Sequence, residues 1–155
     1  MTQILKALNS ANETVNFAVK SGSHNPNCFG ASQDVVISMS SFNEVVYDAN
    51  SQTVLVGSGL RWQDVIAALD PYNVTVVGGR VGHVGMGLVL GGGLSFKSAQ
   101  YGWAANTIAN YEIVLANGSI VNANATSMFH LLKVSIARLT SSHLITQATQ
   151  TYMLH

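Results

Sequence analysis

The chain has 155 residues, of which 48% are hydrophobic and only 9% charged, and seven basic side chains balance seven acidic ones. That length suits one domain with a substantial core, and the charge content is far below the usual quarter or so. The neutral balance and the lack of a basic patch exclude a nucleic-acid binder, the single cysteine, Cys28, excludes an internal disulfide, and no apolar run reaches transmembrane length.

The first element predicted is an amphipathic helix over residues 3–11, with Ile4, Leu5, Ala7, Leu8 and Ala11 at helical spacing. The opening residues lack the basic and apolar regions of a signal peptide. Four Asn-x-Ser/Thr sequons, at Asn12, Asn73, Asn117 and Asn124, point toward secretory ancestry instead, so the compartment stays open. Val15 to Val19 predicts a strand with Val15, Phe17 and Val19 on one face. A polar loop follows from Lys20 to Gln33, then a buried strand from Val35 to Met39. Val45–Tyr47 and Thr53–Val56 form a predicted hairpin turning at Asp48–Ser51. Gly57-Ser58-Gly59 leads into a helix whose inner stripe is Trp62, Val65, Ile66 and Leu69, stopped by Pro71. Val74–Val77 predicts another strand, and Ile113–Val121 a hairpin with a type I′ turn at Asn117-Gly118. The last stretch, from Val134 to His155, lacks glycine and shows no turn chemistry joining it to a sheet. There, Ile136, Leu139, Leu144 and Ile145 suggest at most a weak helix. The sum is an α+β domain of mixed sheets with flanking helices.

Between Gly78 and Gly93 lie eight of the fourteen glycines, in sixteen residues. Glycine at this density serves sharp turns or close approach of backbone to a ligand. The apolar residues among them exclude a flexible linker. Bare backbone N–H groups commonly hold phosphate or diphosphate, but tight turns in an ordinary core would use the same residues. No Gly-x-Gly-x-x-Gly is present: Trp62 and Leu90 stand where the third glycine would be, which excludes a simple Rossmann site. No nucleophile elbow is visible. His24, at the lip of the Lys20-Ser21-Gly22-Ser23-His24 turn, suits an acid/base, a metal ligand, a covalent cofactor anchor or an exposed loop histidine. No second ligand stands at metal spacing from it, and His83, His130, His143 and His155 are scattered, so no metal site is assigned. Arg80 suits a phosphate or a surface ion pair. Tyr101-Gly102-Trp103 suits a stacking platform or core packing.

Taken in order, the Val19–His24 loop, Val54–Trp62, the glycine run, Tyr101–Asn106 and the Glu112–Val121 hairpin ahead of Asn124-Ala125-Thr126 resemble one family. It is the FAD-linked oxidases of the vanillyl-alcohol oxidase and berberine-bridge type, with a PCMH-type FAD-binding domain, and the fungal group is the most similar. The likeness covers roughly residues 2–133. It implies that Ser21, Gly22, Ser23 and His24 contact the diphosphate and flavin of FAD. It implies that Gly85, Gly87, Gly91, Gly92 and Gly93 let backbone approach the cofactor, and that Val121 lies near the adenine side. His24 matches the histidine that many members bond covalently to the flavin.

Departures from the family pattern shape the rest. Ser23 replaces the second glycine of the loop. No cysteine occurs in the glycine run, so a second covalent link is not expected. The run is about one residue short between Val84 and Gly91. Residues 1–133 read as a partial FAD-binding domain without its first βα unit, and residues 134–155 as a divergent tail with no assignable domain. The family's substrate domain and catalytic base are absent, so no catalytic residue is assigned. The expected function is the FAD-binding portion of an oxidoreductase that oxidises a small organic substrate and passes electrons to O₂. The alternatives are a truncated remnant without activity and a small β-rich binding module without flavin.

Overall fold

A computed structural model of the protein describes residues 2–11, 15–27, 30–127 and 144–154. Helix α1 (Thr2–Ser10) turns only Leu5 and Leu8 inward; Ile4 is exposed. Those leucines pack on a two-stranded parallel sheet of β1 (Phe17–Lys20) and β2 (Val35–Ser38). Val15 precedes β1 rather than opening it. Ile37, Met39 and Val114 complete this smaller core.

The larger sheet is antiparallel throughout, in the order β3-β4-β7-β5-β6. Its strands are β3 (Val45–Asp48), β4 (Thr53–Gly57), β5 (Ile108–Leu115), β6 (Ile120–Asn124) and β7 (Leu144–Met153). Alternation in β4 puts Val54 and Val56 on one face, both fully buried. At the β3–β4 turn, the Asn50 amide and the Ser51 hydroxyl donate to the Asp48 carboxylate. The Ser51 hydroxyl, with help from the Asn50 amide, holds that carboxyl below its usual range.

Helix α2 (Trp62–Leu69) lies on the sheet through Trp62, Val65 and Leu69. Short helices α3 (Gly87–Leu90) and α4 (Ser98–Tyr101) follow. The α+β class expected from the pattern is the class observed.

Four further local expectations change. Ile66 is 38% exposed, because the inner stripe of so short a helix is filled by Trp62, Val65 and Leu69. Val74–Val77 forms no strand: Val76 and Val77 are buried, but among the described residues no segment offers them a ladder. The β5–β6 turn is not type I′, because only Gly118 has positive φ (+78°) while Asn117 does not. The Gly118 amide donates to the Leu115 carbonyl and the Leu115 amide to the Ser119 carbonyl, the pattern of a three-residue loop closed by a glycine bulge. Finally, Leu144 and Ile145 belong to β7, not to a helix, and β7 sits between β4 and β5. Ile136 and Leu139 lie outside the described residues.

Candidate functional site

Trp62 anchors the site. Its indole is fully buried and meets the ring of Tyr152 edge-on, with centroids 5.9 Å apart. Gly78 and Gly79 cross directly over the indole, where any side chain would strike it. The first N–H groups of α2 lack helical partners, and the glycine run supplies them. The Trp62 amide donates to the Val84 carbonyl (3.0 Å) and the Gln63 amide to the Gly82 carbonyl (3.1 Å). The run is thus tied to the start of α2 along its first half. Its second half is tied to the chain beyond: the Ala104 amide donates to the Gly93 carbonyl and the Ala105 amide to the Gly92 carbonyl, both at 2.9 Å.

The Ser21–His24 loop joins the run at one point. A Cβ on Gly22 would lie 2.6 Å from the Gly85 amide nitrogen and 2.8 Å from its Cα. Two backbones therefore touch there with no room for a side chain on either. The Ser21 hydroxyl donates to the Ser58 carbonyl (2.6 Å) and fixes the loop to the Gly57–Gly59 turn. The Ser58 hydroxyl is itself buried, with no hydrogen-bond partner among the described residues. Ser23 and His24 are exposed just beyond. Ser23 holds φ +49°, a left-handed conformation that costs an L-residue about 1–2 kcal/mol. That is the position where the resembling family has glycine. Replacing Ser23 by Gly is expected to raise stability by about 0.5–1 kcal/mol, the strain relief less the added unfolded-state entropy. A urea midpoint that falls in this variant would refute the strain.

A cavity of about 440 Å³ opens beside the run, within the roughly 300–1,000 Å³ typical of ligand pockets. Gly79, Gly87, Gly91 and Gly93 form one part of its wall. Arg80, Val81, Val84, Leu88, Leu94 and Trp103 form the rest. Gly92 lies behind Trp103 at φ +96°. Of these glycines, Gly87 differs in kind: a Cβ there would meet nothing within 4 Å. Gly91 is similar, with only the Leu88 carbonyl at 3.6 Å, and neither has a positive φ. The chain's own packing does not require glycine at either place. The space they leave is open enough for a Cβ, and it fits a nucleotide cofactor approached by backbone.

Thus Gly87, Gly91 and Gly93 share the cavity, and Gly92 buttresses it. Ser21, Gly22 and Gly85 are locked together at the neighbouring junction. Val121, on β6, pairs with Ile113 of β5 and packs on the main core; it is not among the residues lining the cavity. Cys28 and Asn12 lie outside the described residues. Val84, Leu88 and Leu94 carried no sequence signal of their own as cavity wall. Tyr152 was hidden in a tail without apparent pattern. Burial pushes the Tyr152 phenol up, aided by Tyr111, and burial alone pushes Tyr111 up. Neither phenol serves as a base near neutral pH. No group of three or more metal-ligating side chains exists among the described residues, and none of their helices is long and apolar enough to cross a membrane.

Known proteins resemble this chain in sequence and in fold. The family described as FAD binding domain matches residues 1–124. An uncharacterized FAD-linked oxidoreductase of Arthroderma benhamiae is 52% identical over 118 residues, covering 74% of this chain and 24% of the relative. An FAD-dependent monooxygenase of Arthrobotrys oligospora is 44% identical over 123 residues, covering 76% of this chain and 24% of the relative. Among solved structures, BBE-like 1 of Physcomitrella patens superposes with a TM-score of 0.85 at 28% identity, over 99% of this chain and 34% of that one. The chain therefore spans about a quarter of the length of the curated relatives it matches. The chain belongs to the FAD binding domain family.

Proposed function

We propose that this chain is the flavin-holding part of an FAD-dependent oxidase that oxidises a small organic substrate and is reoxidised by O₂. The observation that carries the reading is the pair Gly87 and Gly91, glycines on a cavity wall that the chain's own packing leaves open. FAD, when bound, supplies the two-electron chemistry, and the protein binds and orients it. Ser21, Gly22 and Ser23 hold the diphosphate from the junction at Gly85, while Gly87, Gly91, Gly92 and Gly93 admit the cofactor along the run. His24 is the covalent anchor, with no second link through cysteine. Val121 serves the adenine side from β6. Residues 1–133 carry the ligand loops, and within residues 134–155 β7 adds a strand to their sheet.

An absorption spectrum of the purified full chain, before and after acid precipitation, tests this reading. Visible flavin bands are expected, with colour staying in the acid pellet and moving to the supernatant in His24→Ala. A folded chain that stays colourless when FAD is supplied would reject the reading. Turnover by this chain alone is expected near background even with FAD bound. Positioning a substrate is worth roughly 7–11 kcal/mol of barrier, and the chain is a quarter of the length of its relatives. Robust peroxide formation lost on His24→Ala would show that the described residues suffice for catalysis.

A further inference from the structure

The Asn-x-Ser/Thr sequons take no part in the flavin reading, and the fold sets three of them at the margins of one sheet. Among the described residues the five-stranded sheet ends in β3 on one side and β6 on the other, with no further strand paired to either. An open edge offers unpaired N–H and C=O groups to any other chain, and proteins commonly guard it with charge or proline. β6 has no charged residue and no proline, and its Ile120 is 58% exposed. β3 has one charge, Asp48, which the turn takes up through Asn50 and Ser51, and its Val46 is 53% exposed. Asn117 is exposed in the turn that leads into β6. Its carboxamide oxygen accepts from the Ser119 amide (2.9 Å) and hydroxyl (2.7 Å), and those bonds do not use the nitrogen. Asn73 is exposed after the short turn Asp70–Tyr72, at φ +54°, a conformation asparagine tolerates. The neighbouring Tyr72 ring meets that of Tyr47 in β3, with centroids 4.9 Å apart, which sets Asn73 beside the other edge. Asn124 differs: it is half-buried at the end of β6, and its carboxamide nitrogen donates to the Asn110 oxygen (3.1 Å).

We propose that Asn73 and Asn117 carry N-linked oligosaccharides, one beside each open edge of the sheet, and that Asn124 carries none. The donor is an oligosaccharide held on a lipid diphosphate. The asparagine carboxamide nitrogen loses a proton and bonds to C1 of the first sugar, while the bond from C1 to the diphosphate oxygen breaks and the lipid diphosphate leaves. A bulky, hydrated glycan does at these edges what charged side chains do elsewhere, in a chain of which only 9% is charged. At Asn73 the first sugar also covers Tyr72, which is 57% exposed. None of this depends on the flavin reading.

Peptide mapping by mass spectrometry, on protein purified from the cells that make it, tests the assignment. The peptides holding Asn73 and Asn117 are expected to carry glycan mass that peptide N-glycosidase removes, leaving aspartate at each position. The peptide holding Asn124 is expected to be unmodified. Bare asparagine at position 73 or 117 would overturn the proposal, and so would a glycan on Asn124. The guarding role has its own readout. Thr75→Ala with Ser119→Ala removes both sequons and leaves the asparagines in place, while Thr75→Ser with Ser119→Thr keeps them. By light scattering, the alanine chain is expected to self-associate at concentrations where the unaltered and Ser/Thr chains stay dispersed. Trimming the glycans of the folded, unaltered protein to their first sugar with an endoglycosidase is expected to have the same effect, without any change to the polypeptide. Trimmed protein that stays as dispersed as the untrimmed form would overturn the guarding role.

Discussion

A chain ending at residue 133 is expected to lose cooperative folding altogether. Strand β7 lies between β4 and β5, pairing Thr53–Gly57 on one side and Ile108–Leu115 on the other. Without it, two central strands become edges, with unpaired N–H and C=O groups facing water. Val54, Val56 and Ile113, all buried, belong to the core those strands build. The strand also brings in Tyr152, fully buried, whose ring meets Trp62 and whose hydroxyl donates to the Met86 sulfur at 3.7 Å. Tyr152→Ala alone should cost about 3–5 kcal/mol, as other buried aromatic truncations do. That is a large part of the roughly 5–15 kcal/mol a domain possesses. Urea unfolding followed by far-UV circular dichroism checks both variants. A cooperative transition in the truncated chain would mean that β4 and β5 find another partner, and that β7 is dispensable.

The same strand shows where sequence reading stops. The hairpin of β3 and β4, the α2 stripe and the β5–β6 hairpin were legible because each is a local pattern: alternation, helical spacing, a turn residue. β7 has alternation too weak to declare itself, and what makes it a strand is the gap between β4 and β5, a non-local fact. Val74–Val77 fails for the opposite reason, since its β-branched residues suit a strand but no neighbour among the described residues pairs with them. The site divides along the same line. The glycine run and the Ser21–His24 turn stood out as composition, and the family resemblance named their ligand. Which glycines serve the protein and which leave room for a ligand was not legible. Gly22 and Gly87 look alike in sequence, and only the packing around them separates one pressed against Gly85 from one facing empty space.

That separation makes the sharpest test of the cofactor site, because the two glycines should fail differently. Gly22→Val places side-chain carbon within 2.6 Å of the Gly85 nitrogen. Backbone cannot yield there without parting the Ser21–His24 loop from the glycine run, so stability and flavin retention are expected to fall together. Gly87→Val meets no atom of the chain within 4 Å of its Cβ, and Gly87 opens α3, where valine is a somewhat better helix former than glycine. Its unfolding midpoint is expected to stay level or rise slightly. Its branched side chain stands in the cavity, however, and overfilling a packed contact costs about 1–3 kcal/mol. Flavin affinity is therefore expected to drop roughly ten- to a hundred-fold, read by titrating FAD against the change in flavin fluorescence. A Gly87→Val chain that binds FAD as tightly as the unaltered one would remove the cavity from the cofactor's path, and the flavin would have to be sought at the Gly22–Gly85 junction alone.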